Sequence, residues 1–249
     1  MKEFLETLNK TVRLQNNPVG VKLFRDEEFS GKVKVKNKKI NICQQIAYSR
    51  YYNWSTYITA KDSFCVLGAS CCGLIDTPDR VISGEVNWNV YQKDITAAAN
   101  MQKNMPRVDF RSKGVLTFSL ERPVEGIKPE AVVIYVNSAQ AMRFVQAFLY
   151  REGGEFVMKS SGDAGVCSRG VAGVINTSKP TIEIPCLGDR RFAMAQDYEL
   201  VVAFPFSMCE EVAEGLLMTH KAGIRYPVPF DMVEKCSLPE EYTTKEEDL

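Results

Sequence analysis

The sequence has 249 residues, in which 31 lysines and arginines balance 31 aspartates and glutamates. A chain without net charge creates no overall positive field, which argues against nucleic acid and anionic membranes as partners. The remaining partner classes are a small molecule, a metal or another protein. The length fits a single domain spanning residues 1–249, because domains commonly contain about 50–250 residues.

The N-terminal residues predict an amphipathic helix rather than a secretory signal. Lys2, Glu3, Glu6 and Lys10 interrupt the apolar residues of this segment, so it lacks the continuous apolar stretch of a signal peptide. The longest apolar run elsewhere, residues 131–136, is far shorter than the roughly 20 residues of a membrane-spanning helix. We therefore expect a soluble, cytoplasmic protein whose cysteines are kept reduced.

Hydrophobic periodicity predicts helices and strands along the first half of the chain. The predicted elements are a helix with apolar positions Phe4, Leu5, Leu8 and Val12, a strand at 20–24, an edge strand with Val33 and Val35, a helix at 41–52, the β-rich segment STYIT and a loop around Cys65. The edge strand lies in the run KVKVKNKK, whose lysines we expect to be solvated and to discourage pairing with another chain.

The second half contains similar elements, followed by a last strand and helix. The predicted elements are a strand at 114–121, the buried strand AVVIYV, a helix capped by Ser138 with Met142, Val145, Phe148 and Leu149 on its core face, a strand EFVM, the glycine-rich loop SSGDAGVCSRGVAG, a strand ending at Cys186, a strand in DYELVVAFPF and a helix with the apolar stripe Met208, Val212, Leu216 and Leu217.

The order strand, helix, strand and cysteine loop occurs twice in this reading, each time ending in a CxxG. The repetition suggests an internal duplication with halves at about 18–105 and 106–237, although such common elements also recur by chance. Strands and helices interleave without strict alternation. We therefore predict an α+β (mixed α/β) fold with helices packed on a central sheet.

Eight cysteines carry the most informative chemistry of the chain. Four of them lie beside glycines or turns, where a thiolate can reach a ligand, and these are Cys43, Cys65, Cys167 and Cys186. The chain contains no CxxC pair, so the sequence does not indicate a zinc ribbon. Cysteines dispersed one per segment are typical of a site assembled by tertiary structure, and four thiolates suit a 4Fe–4S cluster.

The local sequence around each of these four cysteines supports ligation. Cys43 lies near a helix start, where backbone N–H groups and the helix dipole lower a thiol pKa. Cys65 and Cys167 are each followed by glycine at the third position, so backbone amides can approach a sulfur atom. Cys186 leads into the residues LGDRR, whose arginines supply nearby positive charge.

The other candidate residues have simpler interpretations. Free cysteine often behaves as a small buried hydrophobe, so we expect Cys209 and Cys236 to have structural roles. Two roles remain for Cys71 and Cys72, either a cap of the loop around Cys65 or a spare ligand. His220, the single histidine, fits a helix end better than a catalytic base. The glycine-rich loop lacks the residue order of a nucleotide-binding P-loop.

Several segments of the chain together carry a resemblance to a known family. They are PVGVKLF, the pair Cys43 and Gln44, the CxxG at Cys65, the segment AQAMRFVQAFLYREGG, Cys167, and PCLGDRRF, which fits a CxGxR pattern. On these motifs the chain resembles domain of unknown function 169, a family of uncharacterised bacterial and archaeal ArCR-like proteins. The resemblance implies the metal ligands Cys43, Cys65, Cys167 and Cys186, with cofactor contacts from Gln44, Gly68, Gly188 and Arg190.

These features favour a cytoplasmic iron–sulfur protein, or another thiolate-metal protein, in electron transfer or as a redox enzyme of anaerobic metabolism. Its partner is then a redox protein or a small molecule. Assembly into a homo-oligomer is a further alternative. The alternative is a metal-free module that binds a small molecule, or a thiol enzyme in which Cys167 or Cys186 reacts beside Arg190. A third class is a scaffold that binds a partner without colour or a reactive thiol.

Overall fold

A central sheet organises the computed structural model, which describes residues 1–36, 38–229 and 239–248. Its strands are β1 Val19–Phe24, β2 Val35–Lys36, β3 Thr56–Ile58, β4 Gly114–Ser119, β5 Ala131–Val136, β6 Thr181–Glu183 and β7 Leu200–Pro205. They lie in the order β2-β3-β4-β1-β5-β7-β6. The pair β2 and β3 is parallel and all other neighbouring pairs are antiparallel. The sheet is therefore mixed.

Several helices accompany the sheet within the described residues. They are α1 Lys2–Thr11, α2 Ile42–Tyr52, α3 Val66–Cys71, α4 Asp79–Ile82, α5 Ile95–Lys103, α6 Ser138–Phe148, the π-helix Val166–Gly173, α7 Val174–Thr177, α8 Leu187–Ala193 and α9 Cys209–Lys221. Within the described residues, none of the helices has both the length and the apolar character needed to cross a membrane.

Helices cover both faces of the sheet. Successive strand residues point to opposite faces, so the fully buried β5 directs Val133 and Tyr135 to one face and Val132 and Ile134 to the other. Helices α2, α3 and the π-helix pack on the first face, and α1, α6 and α9 pack on the second. This arrangement confirms the predicted α+β fold with helices on a central sheet. The candidate site lies on the first face.

The strongest periodic patterns located their elements correctly. The N-terminal helix is present as α1 and buries Phe4 and Leu8, and the strand predicted at 20–24 is β1. The helix predicted at 41–52 is α2, with Asn41 as its N-cap. The predicted edge strand is β2, which is the outermost strand of the sheet, although only two residues pair.

The cap and the core face of α6 differ from the prediction. Asn137 rather than Ser138 is the N-cap, because the Asn137 side chain accepts the backbone N–H of Gln140 at 2.8 Å. The Gln140 side chain accepts the N–H of Asn137 in return, at 2.9 Å. Met142 is exposed, whereas Phe144 is buried on the core face. A shift of one or two positions rotates a side chain by about 100–200° around a helix, which explains the error.

Two other segments have structures that the sequence did not indicate. EFVM, residues 155–158, is chain outside the sheet, so the prediction of a strand there is wrong. The second half of the proposed duplication therefore lacks one of its predicted strands. The glycine-rich segment was predicted as a loop, and its first residues are non-helical, but Val166–Gly173 forms the π-helix, whose Gly170 lies against Ala203 of β7. Helices of this rare type occur frequently at functional sites.

The residues set aside as structural can be placed in part. Cys209 begins α9 and is buried in the core on the second face, as expected. His220 lies in the last turn of α9, also as expected. Cys236 lies outside the described residues.

Candidate functional site: a four-cysteine cavity

One cavity of about 550 Å³ brings together residues from distant parts of the chain, including four segments that each carry a cysteine. Its lining includes one cysteine from each segment, and these are Cys43, Cys65, Cys167 and Cys186, which we call the cavity cysteines. All four are partly buried. The two glycines of the motifs, Gly68 and Gly188, also line the cavity, whereas Gln44 and Arg190 do not. The convergence depends on tertiary structure, because up to about 140 residues separate these positions in sequence.

Cys43 reaches the cavity from the first turn of α2. The turn is fixed by a capping interaction in which the side chain of Gln44 accepts the backbone N–H of Asn41 at 2.9 Å. Gln44 was expected to contact a cofactor, but its amide oxygen is used in this cap. Its role in the structure is therefore to position Cys43.

Cys65 immediately precedes α3, so the segment predicted as a loop is instead the start of a short helix. The backbone N–H groups of Gly68 and Leu67 lie near its sulfur and favour the thiolate, although burial raises the pKa of Cys65 overall. Gly68 has little free space, because a Cβ atom there would lie 3.3 Å from Cγ1 of Ile42 and 3.8 Å from Sγ of Cys167. Glycine therefore permits the close approach of α2, α3 and the π-helix.

Cys167 lies in the π-helix, where its thiol donates to the carbonyl of Ala164 at 3.5 Å. Cys71 and Cys72 lie beside it, both fully buried, with Sγ of Cys72 4.0 Å from the carbonyl of Cys167. Neither Cys71 nor Cys72 lines the cavity. These two thiols therefore pack behind the cavity wall rather than extending the set of cavity cysteines.

Cys186 caps the start of α8, and Asp189 completes this cap. The backbone N–H of Cys186 donates to the carboxylate of Asp189 at 3.0 Å. Arg190 does not direct its charge at Cys186, because it donates to the carbonyl of Gln196 at 2.7 Å and faces Asp197 at 3.5 Å. The ionisable groups that act on Cys186 are instead carboxyls, with Asp189 the strongest.

The cavity raises the pKa of its thiols. Burial is the main cause at Cys43 and Cys186, with a further contribution from the negative charge of Asp189, and it raises the pKa of Cys186 to about 12. At Cys167 the hydrogen bond to Cys71 raises the pKa first, and burial adds to it. The expected lowering of the Cys43 pKa by the helix start is thus outweighed by burial. These thiols need a cation to become thiolates at neutral pH, and a bound metal supplies one.

The mouth of the cavity is apolar and open to solvent. Phe64 and Phe192 belong to the lining and are 71% and 47% exposed. Arg80 is an exposed lining residue and brings a positive charge, whereas Asp163 brings a buried carboxylate. A ligand or partner can therefore reach the cysteines from this side.

A single metal ion does not fit the cavity cysteines as they stand. Among the described residues, no three histidine, cysteine, aspartate or glutamate side chains come close enough together to hold one ion. The four cysteines instead line one cavity of about 550 Å³. A 4Fe–4S cluster takes one thiolate at each of its irons, and therefore requires ligands arranged around a volume.

Sequence reasoning did not identify several lining residues. Asp189 was overlooked although it occupies the second variable position of the CxGxR motif, where its three-residue spacing from Cys186 matches a helix-capping pair. The sequence did not indicate Phe64 and Phe192 as lining residues, because an exposed aromatic residue can be assigned to a site only when its neighbours in space are known. Asp163 also lines the cavity, where it accepts a hydrogen bond from Asn87 at 2.8 Å.

The carboxyl group of Asp189 gives a pH prediction for the metal-free protein. Burial raises its pKa to about 6, which exceeds the value in an unfolded chain. The folded state therefore binds this proton more tightly, and the resulting stability is complete below about pH 4 and is lost as the pH rises through about 6. Relative to Asp189→Asn, the wild type should lose about 1–3 kcal/mol of unfolding free energy across this interval.

Urea unfolding at several pH values between these limits measures the difference. Asp197→Asn is the matched control, because the side chain of Asp197 is fully exposed. A difference between wild type and Asp189→Asn that stays constant with pH would contradict the prediction.

The fold and the cavity define an α+β domain that joins four cysteines from distant segments at one opening. Residues 7–215 match the family domain of unknown function 169, described as uncharacterised ArCR, and the chain belongs to this family. It is similar to the uncharacterized protein MJ0308 of Methanocaldococcus jannaschii, with 26% identity over 219 residues, covering 87% of this chain and 93% of that protein. No solved structure matches the chain.

Proposed function

We propose that this protein binds a 4Fe–4S cluster in the four-cysteine cavity and serves in electron transfer or redox chemistry. The observation that carries the proposal is the convergence of Cys43, Cys65, Cys167 and Cys186, one from each of four segments, on one cavity. Isolated cysteines are usually small core residues, and core cysteines have no reason to share an opening to solvent. A common ligand gives such a reason.

The surroundings of the sulfurs support this ligand. Backbone N–H groups of Leu67 and Gly68 near Cys65 can donate to sulfur, and hydrogen bonds of this kind tune the potential of a cluster. The raised thiol pKa values argue that the cysteines stay protonated until a metal displaces the protons. Binding should therefore release protons and depend on pH.

The remaining features of the cavity suit a redox centre. When bound, a cluster of this kind supplies a site that takes up and releases one electron at a time. The apolar lining residues Ile42, Val66 and Leu67 lower the polarity of the surroundings of the sulfurs. The half-open mouth at Phe64 and Phe192 gives a redox partner or small substrate access. A reducing, cytoplasmic location belongs to the same proposal, since the ligands must stay free of disulfides.

Anaerobic purification followed by cluster reconstitution tests the proposal. The expected product is brown, absorbs in the visible region, and contains close to four irons and four acid-labile sulfides per chain, as the cluster type requires. A reconstitution mixture without sulfide is the control for loosely bound iron. A colourless product without bound iron or sulfide would overturn the proposal.

A metal-free function is the second candidate, and one observation favours it. The cavity volume of about 550 Å³ lies within the range of small-molecule sites, and much of the lining is apolar. A thiol enzyme is less well supported, because burial raises the pKa of Cys186 and hydrogen bonding with burial raises that of Cys167. Hydrogen bonding lowers the pKa of Cys71, but this thiol is fully buried.

Alkylation kinetics with peptide mapping separate the candidates. One fast-reacting cysteine in the protein as isolated would favour the thiol enzyme. Protection of all four cavity cysteines that is lost after chelation would favour the cluster.

A further inference from the structure

A run of lysines forms an exposed basic surface at one edge of the sheet. We call it the basic strip, and it consists of Lys32, Lys34, Lys36, Lys38 and Lys39, all exposed. Among the described residues, none of the five has a carboxylate within 4.0 Å. Since the whole chain has no net charge, the strip is a strong local positive field on a neutral protein.

Aromatic rings hold part of the strip in place. The amino group of Lys34 lies 5.7 Å from the centre of the Trp54 ring, and that of Lys38 lies 5.9 Å from the Tyr48 ring. Tyr48 and Trp54 stack on each other at 5.5 Å. Cation–π contacts of this kind restrain exposed lysines weakly, and they favour presentation of the charge beside these rings.

The strip ends beside the four-cysteine cavity. Lys38 contacts Tyr48, which follows Cys43 by five residues in α2 and therefore lies about 7.5 Å further along the helix axis. Lys39 stands two residues before Asn41, a lining residue of the cavity. The intervening residue, Ile40, pairs with Ser63, next to Phe64 at the mouth.

We propose that the basic strip docks an acidic protein electron carrier, which exchanges one electron with the cavity. This inference rests on the proposed function. Complementary charge steers such a carrier to the surface, and the exposed rings of Phe64 and Phe192 supply an apolar contact next to the cysteines. In one transfer, the reduced carrier loses one electron and the oxidised centre gains it, without any bond being formed or broken.

A carrier protein suits this surface better than single-stranded nucleic acid. Binding of bases requires free aromatic faces on which they can stack. Tyr48 and Trp54 instead stack on each other and lie beneath lysine amino groups. An edge-strand partner is also disfavoured, because β2 pairs over only two residues.

The binding test uses two small carriers of opposite charge, an acidic plant-type ferredoxin and a basic c-type cytochrome. The wild type should bind the ferredoxin at low salt, lose about tenfold or more of its affinity at high salt, and bind the cytochrome more weakly. The triple variant Lys34→Glu, Lys38→Glu and Lys39→Glu should bind the ferredoxin at least about tenfold more weakly than the wild type.

The matched control makes the same charge change on the opposite face of the sheet. It is the triple variant Lys2→Glu, Lys10→Glu and Lys221→Glu in α1 and α9, which should change the affinity by less than about threefold. The triple variant Lys34→Gln, Lys38→Gln and Lys39→Gln removes charge without reversing it. It should give an intermediate affinity and the same urea unfolding midpoint as the wild type.

Equal binding of the ferredoxin by the strip variant and the control variant would overturn the inference. Tighter binding of a single-stranded oligonucleotide or of anionic vesicles than of ferredoxin at equal salt would overturn it as well. The binding measurement is repeated on metal-free protein. Salt-dependent ferredoxin binding without any cluster after reconstitution means that the proposed function fails and the docking surface stands. Cluster incorporation without ferredoxin binding means that the proposed function stands and the docking surface fails.

Discussion

Serine in place of any one cavity cysteine should reduce the iron retained after anaerobic reconstitution at least about tenfold. Serine oxygen is a poor ligand for the soft irons of a cluster, and the loss of one corner ligand exposes that iron to water. The four variants are Cys43→Ser, Cys65→Ser, Cys167→Ser and Cys186→Ser. Iron and sulfide analysis together with the visible spectrum measures the effect.

Two kinds of control variant sharpen this series. Cys209→Ser changes a buried cysteine on the opposite face of the sheet, and it should keep the iron content of the wild type. Cys71→Ser and Cys72→Ser change thiols that are buried behind Cys167 without lining the cavity. They should cost stability but retain most of the cluster. Loss of iron in Cys71→Ser with retention in Cys167→Ser would show that the ligand set is wrong.

Thermal unfolding adds a second measurement of the same series. A cluster that binds only the folded state raises the unfolding temperature of the loaded protein above that of the metal-free protein. This increment should be present in Cys209→Ser and nearly absent in the four cavity variants. An equal increment in all of them would mean that metal binds elsewhere in the chain.

The cavity cysteines could be selected from the sequence because their motifs are local. A cysteine followed by glycine at the third position, as at Cys65 and Cys167, is visible without a structure. Periodicity likewise located α1, α2 and β5, since burial of one face leaves a regular apolar pattern. The meeting of the segments could only be hypothesised, because nothing in the spacing of the motifs specifies which loops of the fold come together.

The chemistry of the individual residues was less predictable. The charge near Cys186 was expected to be positive from its arginines, yet Arg190 turns to Gln196 and Asp197 while Asp189 stays buried beside the sulfur. Consecutive residues of a helix point about 100° apart, so neighbours in sequence need not be neighbours in space. The expectation of a lowered pKa at Cys43 rested on its local position at a helix start. Burial by other segments raises this pKa instead, and such burial leaves no local signal in the sequence.

The backbone structure of the glycine-rich segment could not be predicted from the sequence either. Its composition is typical of a loop, and the sequence contains nothing that distinguishes a π-helix from a turn. The helix forms against the sheet, where Ser168 donates to the carbonyl of Pro106 at 2.8 Å and Gly170 lies against β7. Tertiary contacts therefore overrode the local preference, and they did so at the segment that carries Cys167.

Replacing Arg50 by methionine should lower the free energy of unfolding by about 3–5 kcal/mol. Arg50 and Glu199 form a buried ion pair with side chains 1% and 3% exposed and a closest approach of 3.2 Å. Removal of the cation leaves the Glu199 carboxylate uncompensated in the interior, which is the main cost. The guanidinium also packs over the ring of Tyr135 at 3.6 Å.

The double variant separates the ion pair from the packing of the arginine. Glu199→Gln added to Arg50→Met removes the stranded charge, while the amide can still accept the N–H of Gln196 that now lies 2.7 Å from the carboxylate. The double variant should therefore be more stable than Arg50→Met alone. Urea unfolding of the wild type and the three variants completes the cycle, and strictly additive changes would contradict the coupling.

The buried pair of Arg50 and Glu199 also lies next to the helices that carry two of the cavity cysteines. Arg50 lies in the last turn of α2, which carries Cys43 in its first turn, and it donates to the carbonyl of Met194 at 2.9 Å. Met194 directly follows α8, whose cap is Cys186. Through this hydrogen bond Arg50 ties together the two helices that hold these cysteines, although Arg50 does not line the cavity. Arg50→Met should consequently retain less iron than an equally destabilised variant in α9, such as Leu216→Ala, whose side chain is buried on the opposite face. Equal iron retention by the two variants would mean that the pair stabilises the fold without positioning the site.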